Sequence, residues 1–89
     1  MSHILARIKG AKLENVKKVL KADEQVHANA GLRLQRLWQN VDDKDEVWFL
    51  LYSDDLKRAR QFIDKVHAKA IEENANANLP QMVFLEEAL

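Results

Sequence analysis

Cysteine is absent from all 89 residues, which removes disulfide frameworks, thiol nucleophiles, iron–sulfur clusters and every zinc site built on thiolate. A thiol-free chain fits a reducing compartment, and a cytoplasmic location is expected. An excess of one charge is missing too: fourteen basic residues balance fourteen acidic ones. No net field draws the chain toward phosphate backbones or anionic lipid, so nucleic acid is not an expected partner. Glycine occurs twice and proline once, leaving no Gly-rich phosphate loop and no nucleophile elbow. The longest apolar run, Val47 to Tyr52, is far short of the roughly 20 residues that span a bilayer. The stretch Met1–Lys9 carries no apolar segment of the kind that directs export. A soluble, unexported chain with no membrane contact is the expectation.

What is present is an ordinary globular composition, 47 % hydrophobic and 31 % charged, well outside the range where chains stay disordered. One domain, residues 1–89, accounts for the length. A chain this short buries only about 60–65 % of its unfolded surface, so spare apolar surface favours a homodimer or higher homo-oligomer.

Ile4, Ala6 and Ile8 alternate with Leu5, Arg7 and Lys9 in the period of a strand, which Gly10 breaks. From about Lys12 to Asn29 the residues Leu13, Val16, Val19 and Leu20 recur at helical spacing beside a wet face of Lys17, Lys18, Lys21 and Glu24, and Gly31 is a natural stop. Leu32–Gln39 and Glu46–Ser53 are strand-like runs on either side of the polar stretch Asn40–Asp45, and read as a hairpin. Ser53 or Asp54 is placed to cap a second helix running to about Asn74, with Leu56, Ala59, Phe62, Ile63, Val66 and Ala70 as its apolar stripe. Pro80 then leads into a last strand, Gln81 to Glu87.

The order β-α-β-β-α-β is that of an α+β, ferredoxin-like fold: a four-stranded antiparallel sheet with two helices on one face. In the third strand Val47, Phe49 and Leu51 fill one face while Trp48, Leu50 and Tyr52 fill the other. The fourth repeats this with Val83 and Leu85 against Met82 and Phe84. An apolar second face on a soluble sheet calls for a cover. Which face meets the helices is left open, because a one-residue slip reverses every side chain.

By element order, length, these two-faced strands and the helix-to-strand step Asp23–Leu34, nearly the whole chain resembles the dimeric α+β barrel superfamily, which includes antibiotic-biosynthesis monooxygenase-like domains. That resemblance implies a sheet-to-sheet dimer. It also implies a range of roles, from oxygenases, haem-handling proteins and isomerases to members with no assigned activity.

Candidate chemistry is sparse. His27 and His67 are the obvious candidates for metal ligands or general bases, since imidazole is the side chain that titrates near neutrality, but each lies toward the end of one of two antiparallel helices. At 1.5 Å rise per residue this separates them by about 15 Å, which argues against a shared metal site. Each reads as a partly exposed residue favoured by the helix C-terminal dipole. Trp48 and Tyr52, with Trp38, Phe49 and Phe84, are suited either to packing or to lining a pocket for a small apolar or aromatic ligand. Arg7 or Arg36 would hold the ligand's carboxylate, and His67 is a further candidate. An arginine facing a sheet interface needs a carboxylate or a ligand, and for Arg7 a salt bridge is the favoured reading. Asp42, Asp43, Asp45 and Glu46 lack the ligand series of a calcium loop and read as a solvated turn. Lys57, Arg58 and Arg60 read as a wet helix face. A Cys-x-x-Cys heavy-metal site is excluded by Gly10–Leu13, and an RNA-recognition motif by the glycine-free third strand. No metal and no cofactor is called for. The favoured reading is a non-catalytic dimeric domain, with a cofactor-independent monooxygenase-like enzyme as the alternative.

Overall fold

The two apolar sets on each central strand are sorted by a single helical layer. The computed structural model describes residues 2–89; Met1, which heads the stretch read as unexported, lies outside them. Four strands, β1 (Ser2–Lys9), β2 (Leu32–Asn40), β3 (Asp43–Ser53) and β4 (Gln81–Glu86), form one sheet in the order β2-β3-β1-β4, with every neighbouring pair antiparallel. Helices α1 (Leu13–Ala22), α2 (Glu24–Asn29) and α3 (Leu56–Glu73) supply the cover. Ile4 and Ala6 of β1 and Val47, Phe49 and Leu51 of β3 are buried against Val16 of α1 and Ala59 and Ile63 of α3. Burying each large aliphatic of that set is worth about 1.5–3 kcal/mol, so this layer holds the fold. The architecture is the expected ferredoxin-like α+β fold. Among the described residues no helix is long and apolar enough to cross a membrane.

Three local departures from the sequence reading have physical causes. The single helix expected over Lys12–Asn29 is bent into two at Asp23 (φ −96°, ψ 7°). Backbone hydrogen bonds still cross the bend, from Asp23 N to Val19 O at 3.0 Å and from His27 N to Asp23 O at 2.8 Å. Aspartate is a poor mid-helix residue, and the bend lets α1 lie over β3 while α2 lies over β2. The hairpin turn is shorter than expected: β3 starts at Asp43, which pairs with Asn40, and only Val41 and Asp42 lie between the strands. Asn40 Oδ1 accepts from Asp42 N at 2.9 Å and Asp43 Oδ1 from Asp45 N at 3.0 Å, so short polar side chains close the turn locally. The cap of α3 is Asp55, whose Oδ1 accepts from Arg58 N at 3.2 Å. Ser53 is buried in β3 instead, and its hydroxyl has no partner among the described residues.

The register of β2 shifts between Leu34, opposite Leu51, and Arg36, opposite Leu50. Gln35 is the extra residue of a β-bulge, and beyond it the faces exchange parity. Leu32 and Leu34 point to the helices before the bulge, and Leu37 does so after it, opposite Phe49. Arg36 and Trp38 are thereby sent to the other face.

The basic residues of α3 are partly used internally. Arg58 donates to the Asn29 carbonyl through its guanidinium, and the Arg60 guanidinium carbon stands 3.9 Å from the centre of the Phe84 ring, holding edge strand β4 to the helix. At the other end Asn78 Nδ2 donates to Lys9 O at 2.6 Å, tying the α3–β4 connection to β1.

Gly31 ends α2 at φ +77°. Its N–H donates to Ala28 O at 3.0 Å and its carbonyl accepts from Asp54 N at 3.2 Å. A Cβ there would stand 2.8 Å from Asp54 Cγ as well as forcing a side chain into the left-handed region. Gly31→Ala is expected to cost about 1–2 kcal/mol. Urea unfolding would record this as a lower midpoint at unchanged slope. An unchanged midpoint would refute the requirement for glycine.

Candidate functional site

The face of the sheet turned away from the helices carries the chemistry-bearing side chains, in three rows that cross all four strands. Reading from β2 to β4, the first row is Trp38, Trp48, Arg7 and Gln81; the second is Arg36, Leu50, Leu5 and Val83; the third is Arg33, Tyr52, His3 and Leu85. Seven of these twelve positions are apolar or aromatic, and Trp38, Val83 and Leu85 are 45 %, 50 % and 41 % exposed. Leu5, Trp48, Leu50 and Tyr52 at the centre are only partly covered by their neighbours. The polar members Arg33, Arg36, Gln81 and His3 lie around this centre.

Four of the five candidates named from sequence, Arg7, Arg36, Trp48 and Tyr52, therefore share one face. His67 does not join them. It lies on α3, which packs on the opposite side of the sheet.

The polar hub of the open face is Glu46. Arg7 Nε donates to Glu46 Oε1 at 2.6 Å, Trp48 Nε1 donates to the same oxygen at 3.0 Å, and Asn40 Nδ2 donates to Oε2 at 3.1 Å. The Arg7 guanidinium lies 5.5 Å from the centre of the Trp48 ring and reaches Gln81 Oε1 at 3.4 Å. Arg7 thus has the carboxylate that its position demanded. Glu46 was not foreseen in this role, because it reads as the last of four acidic residues in a turn. Its signal was parity: Glu46 continues the set Trp48, Leu50, Tyr52 at a spacing of two. The hydrogen bond from Arg7 holds the Glu46 carboxyl below the usual carboxylate range; partial desolvation opposes this, and the bonds from Asn40 and Trp48 reinforce it.

The remaining face groups are held less firmly. Tyr52 carries the His3 ring edge-on at 5.9 Å between centroids and the Arg33 guanidinium at 5.3 Å from its ring centre. Arg36 is exposed, and its one side-chain hydrogen bond among the described residues is a long contact to Gln35 O at 3.4 Å. Its charge has no carboxylate partner there.

His27 and His67 are half-buried on the helical side, and burial lowers both pKa values, opposed by the charges of Asp23 and Asp64 respectively. His27 lies in the last turn of α2, as expected, whereas His67 falls short of the last turn of α3, so the helix-dipole placement read from sequence holds for His27 alone. The His27 ring meets Phe62 edge-on at 6.1 Å. Among the described residues no three His, Asp or Glu side chains gather as a metal-ligand set.

With the geometry in place, the comparisons with known proteins bear on the class of fold. No known family and no curated protein matches the chain. Among solved structures, an uncharacterized NIPSNAP domain protein from Burkholderia xenovorans superposes with a TM-score of 0.58 at 18 % identity, covering 99 % of this chain and 95 % of that one. SCO4226 from Streptomyces coelicolor A3(2) superposes with a TM-score of 0.55 at 12 % identity, over 98 % of this chain and 96 % of that one. These likenesses are of fold, and they extend over the whole domain.

The Glu46 cluster sets an acid limit on stability. A carboxyl whose folded pKa lies below its unfolded value of about 4.5 contributes stability that is full above that pH and is lost as pH falls through the folded pKa. Glu46→Gln should therefore lower the unfolding midpoint at pH 7, and the gap to the wild type should close as the pH is taken down through the folded pKa. A constant gap from pH 7 to 2 in thermal melts would contradict the ionised Arg7–Glu46 pair.

Proposed function

We propose that this chain is a self-pairing, non-catalytic domain whose open sheet face closes on the same face of a second copy. One observation carries the reading: that face has an apolar centre of Leu5, Leu50, Trp48 and Tyr52, continued onto the edge strands by Trp38, Val83 and Leu85, with Arg33, Arg36, Gln81 and His3 around it. This is the anatomy of a protein interface, in which the centre is depleted of charge and enriched in aromatics while the margin stays polar. A second copy is the occupant that the charges favour. The chain has no net charge; on this face Arg7 is neutralised by Glu46, and Arg33 and Arg36 are available for carboxylates of the second copy.

In the paired state Arg36 keeps its guanidinium for a carboxylate, either of a small apolar or aromatic ligand enclosed beside Trp48 and Tyr52 or of the partner copy. Arg7 serves to position, through Glu46, the Trp48 ring that meets the second face. No observation favours the monooxygenase-like alternative, since Trp48 and Tyr52 turn away from the helices and His67 lies across the sheet from them. The resemblance to the dimeric α+β barrel superfamily supports the same mode of pairing.

Light scattering across a dilution series at micromolar concentration should give twice the 10.3 kDa of one chain. Leu50→Glu, which sets a charge at the centre of the patch, should halve that mass while leaving the far-ultraviolet circular dichroism unchanged. A wild-type mass of one chain throughout, without aggregation, would overturn the proposal.

A further inference from the structure

The helical side of the sheet is incompletely covered at its β2 edge. Leu34 and Leu37 both point toward the helices, yet Leu34 is 45 % exposed and Leu37 is only partly buried. The cause is the bend at Asp23: α2 is only six residues long, and beside it Leu32 is buried while Leu34 stays exposed. An open groove of about 420 Å³ results, floored by Leu20, Leu32, Leu34 and Leu37 and walled by His27 and Ala28. A second apolar cavity of about 280 Å³ lies on the other flank of α1, lined by Ile8, Val16, Phe49 and Pro80, and the two share Leu20 as a common wall.

The rim of the groove is charged on one side. Lys17 and Lys21 are four residues apart on α1 and so stand on the same helix face, both lining the groove. Among the described residues no carboxylate lies within ion-pair distance of either. Glu24 is the one acid on the rim among the described residues. Arg33 lines the groove but turns its guanidinium to Tyr52 on the opposite face of the sheet, so its charge is spent elsewhere.

We propose that this groove binds a small apolar carboxylate, with its hydrocarbon tail on Leu20, Leu34 and Leu37 and its anionic head at Lys17 and Lys21. Its volume falls in the range of small-molecule sites, about 300–1,000 Å³, and is too small for a folded partner. The apolar floor supplies burial for a chain of methylenes. Two unpaired ammonium groups on one side of it select an anion over a neutral head. The site lies on the side of the sheet away from the pairing face, so it does not depend on self-association.

The test is titration of the ¹⁵N-labelled full chain with decanoate below its micelle concentration, and separately with decanol, which has the same tail and no charge. Saturable shifts are expected at amides of α1, α2 and residues 32–37, with decanoate binding about five- to tenfold more tightly than decanol, as one or two charge contacts near a surface would give. The double variant Lys17→Gln, Lys21→Gln should weaken decanoate by the same factor and leave decanol unchanged, its own spectrum attesting the fold. Absence of saturable binding, shifts confined to the open sheet face, or decanoate affinity indifferent to the double substitution would each overturn the proposal.

Discussion

Two central strands that are apolar on both faces, against helices that cover only one, form the constraint on which the rest of the molecule depends. β1 and β3 spend Ile4, Ala6, Val47, Phe49 and Leu51 on the helical layer and still present Leu5, Trp48, Leu50 and Tyr52 to the other side. A half-buried antiparallel sheet would alternate apolar with polar. Here the alternation is between two kinds of apolar surface, one sealed by the chain itself and one left open.

The charge that Arg7 carries on the open face is met within the chain. An unpaired arginine at the centre of an interface would carry a large desolvation penalty. Arg7 avoids it through a carboxylate from the neighbouring strand and through the Trp48 ring beneath it. The same carboxylate takes the indole N–H, so the Trp48 ring is fixed by its own hydrogen bond. The bulge at Gln35 completes the arrangement by sending Arg36 and Trp38 to this face and Leu37 to the core. Without that extra residue, Arg36 would point into the helical layer.

Much of this was legible in the sequence, and what was not had local causes. The element order and the two sets on β1, β3 and β4 follow from period-two patterns, and the shared face of Arg36 and Trp38 follows from their spacing of two beyond the bulge. The bulge itself was readable in the spacing Leu32, Leu34, Leu37, two and then three, although Gln35 has nothing in its type to mark it. Asp23 bends the first helix without a glycine or proline to announce the change. Glu46 was hidden among acidic neighbours that serve only the turn. The groove beside α2 follows from the angle of that bend and from the shortness of α2, neither of which a hydrophobic pattern records. The burial of Ser53 without a hydrogen-bond partner likewise depends on packing and not on residue type.

Self-pairing through the open face is tested most directly by an isotope-filtered nuclear Overhauser experiment on a mixture of labelled and unlabelled chains. Cross-peaks are expected between methyl groups of Leu5, Leu50 or Val83 in one copy and the rings of Trp48 or Tyr52 in the other. Intermolecular cross-peaks confined to the helical side, or none at all, would contradict the pairing.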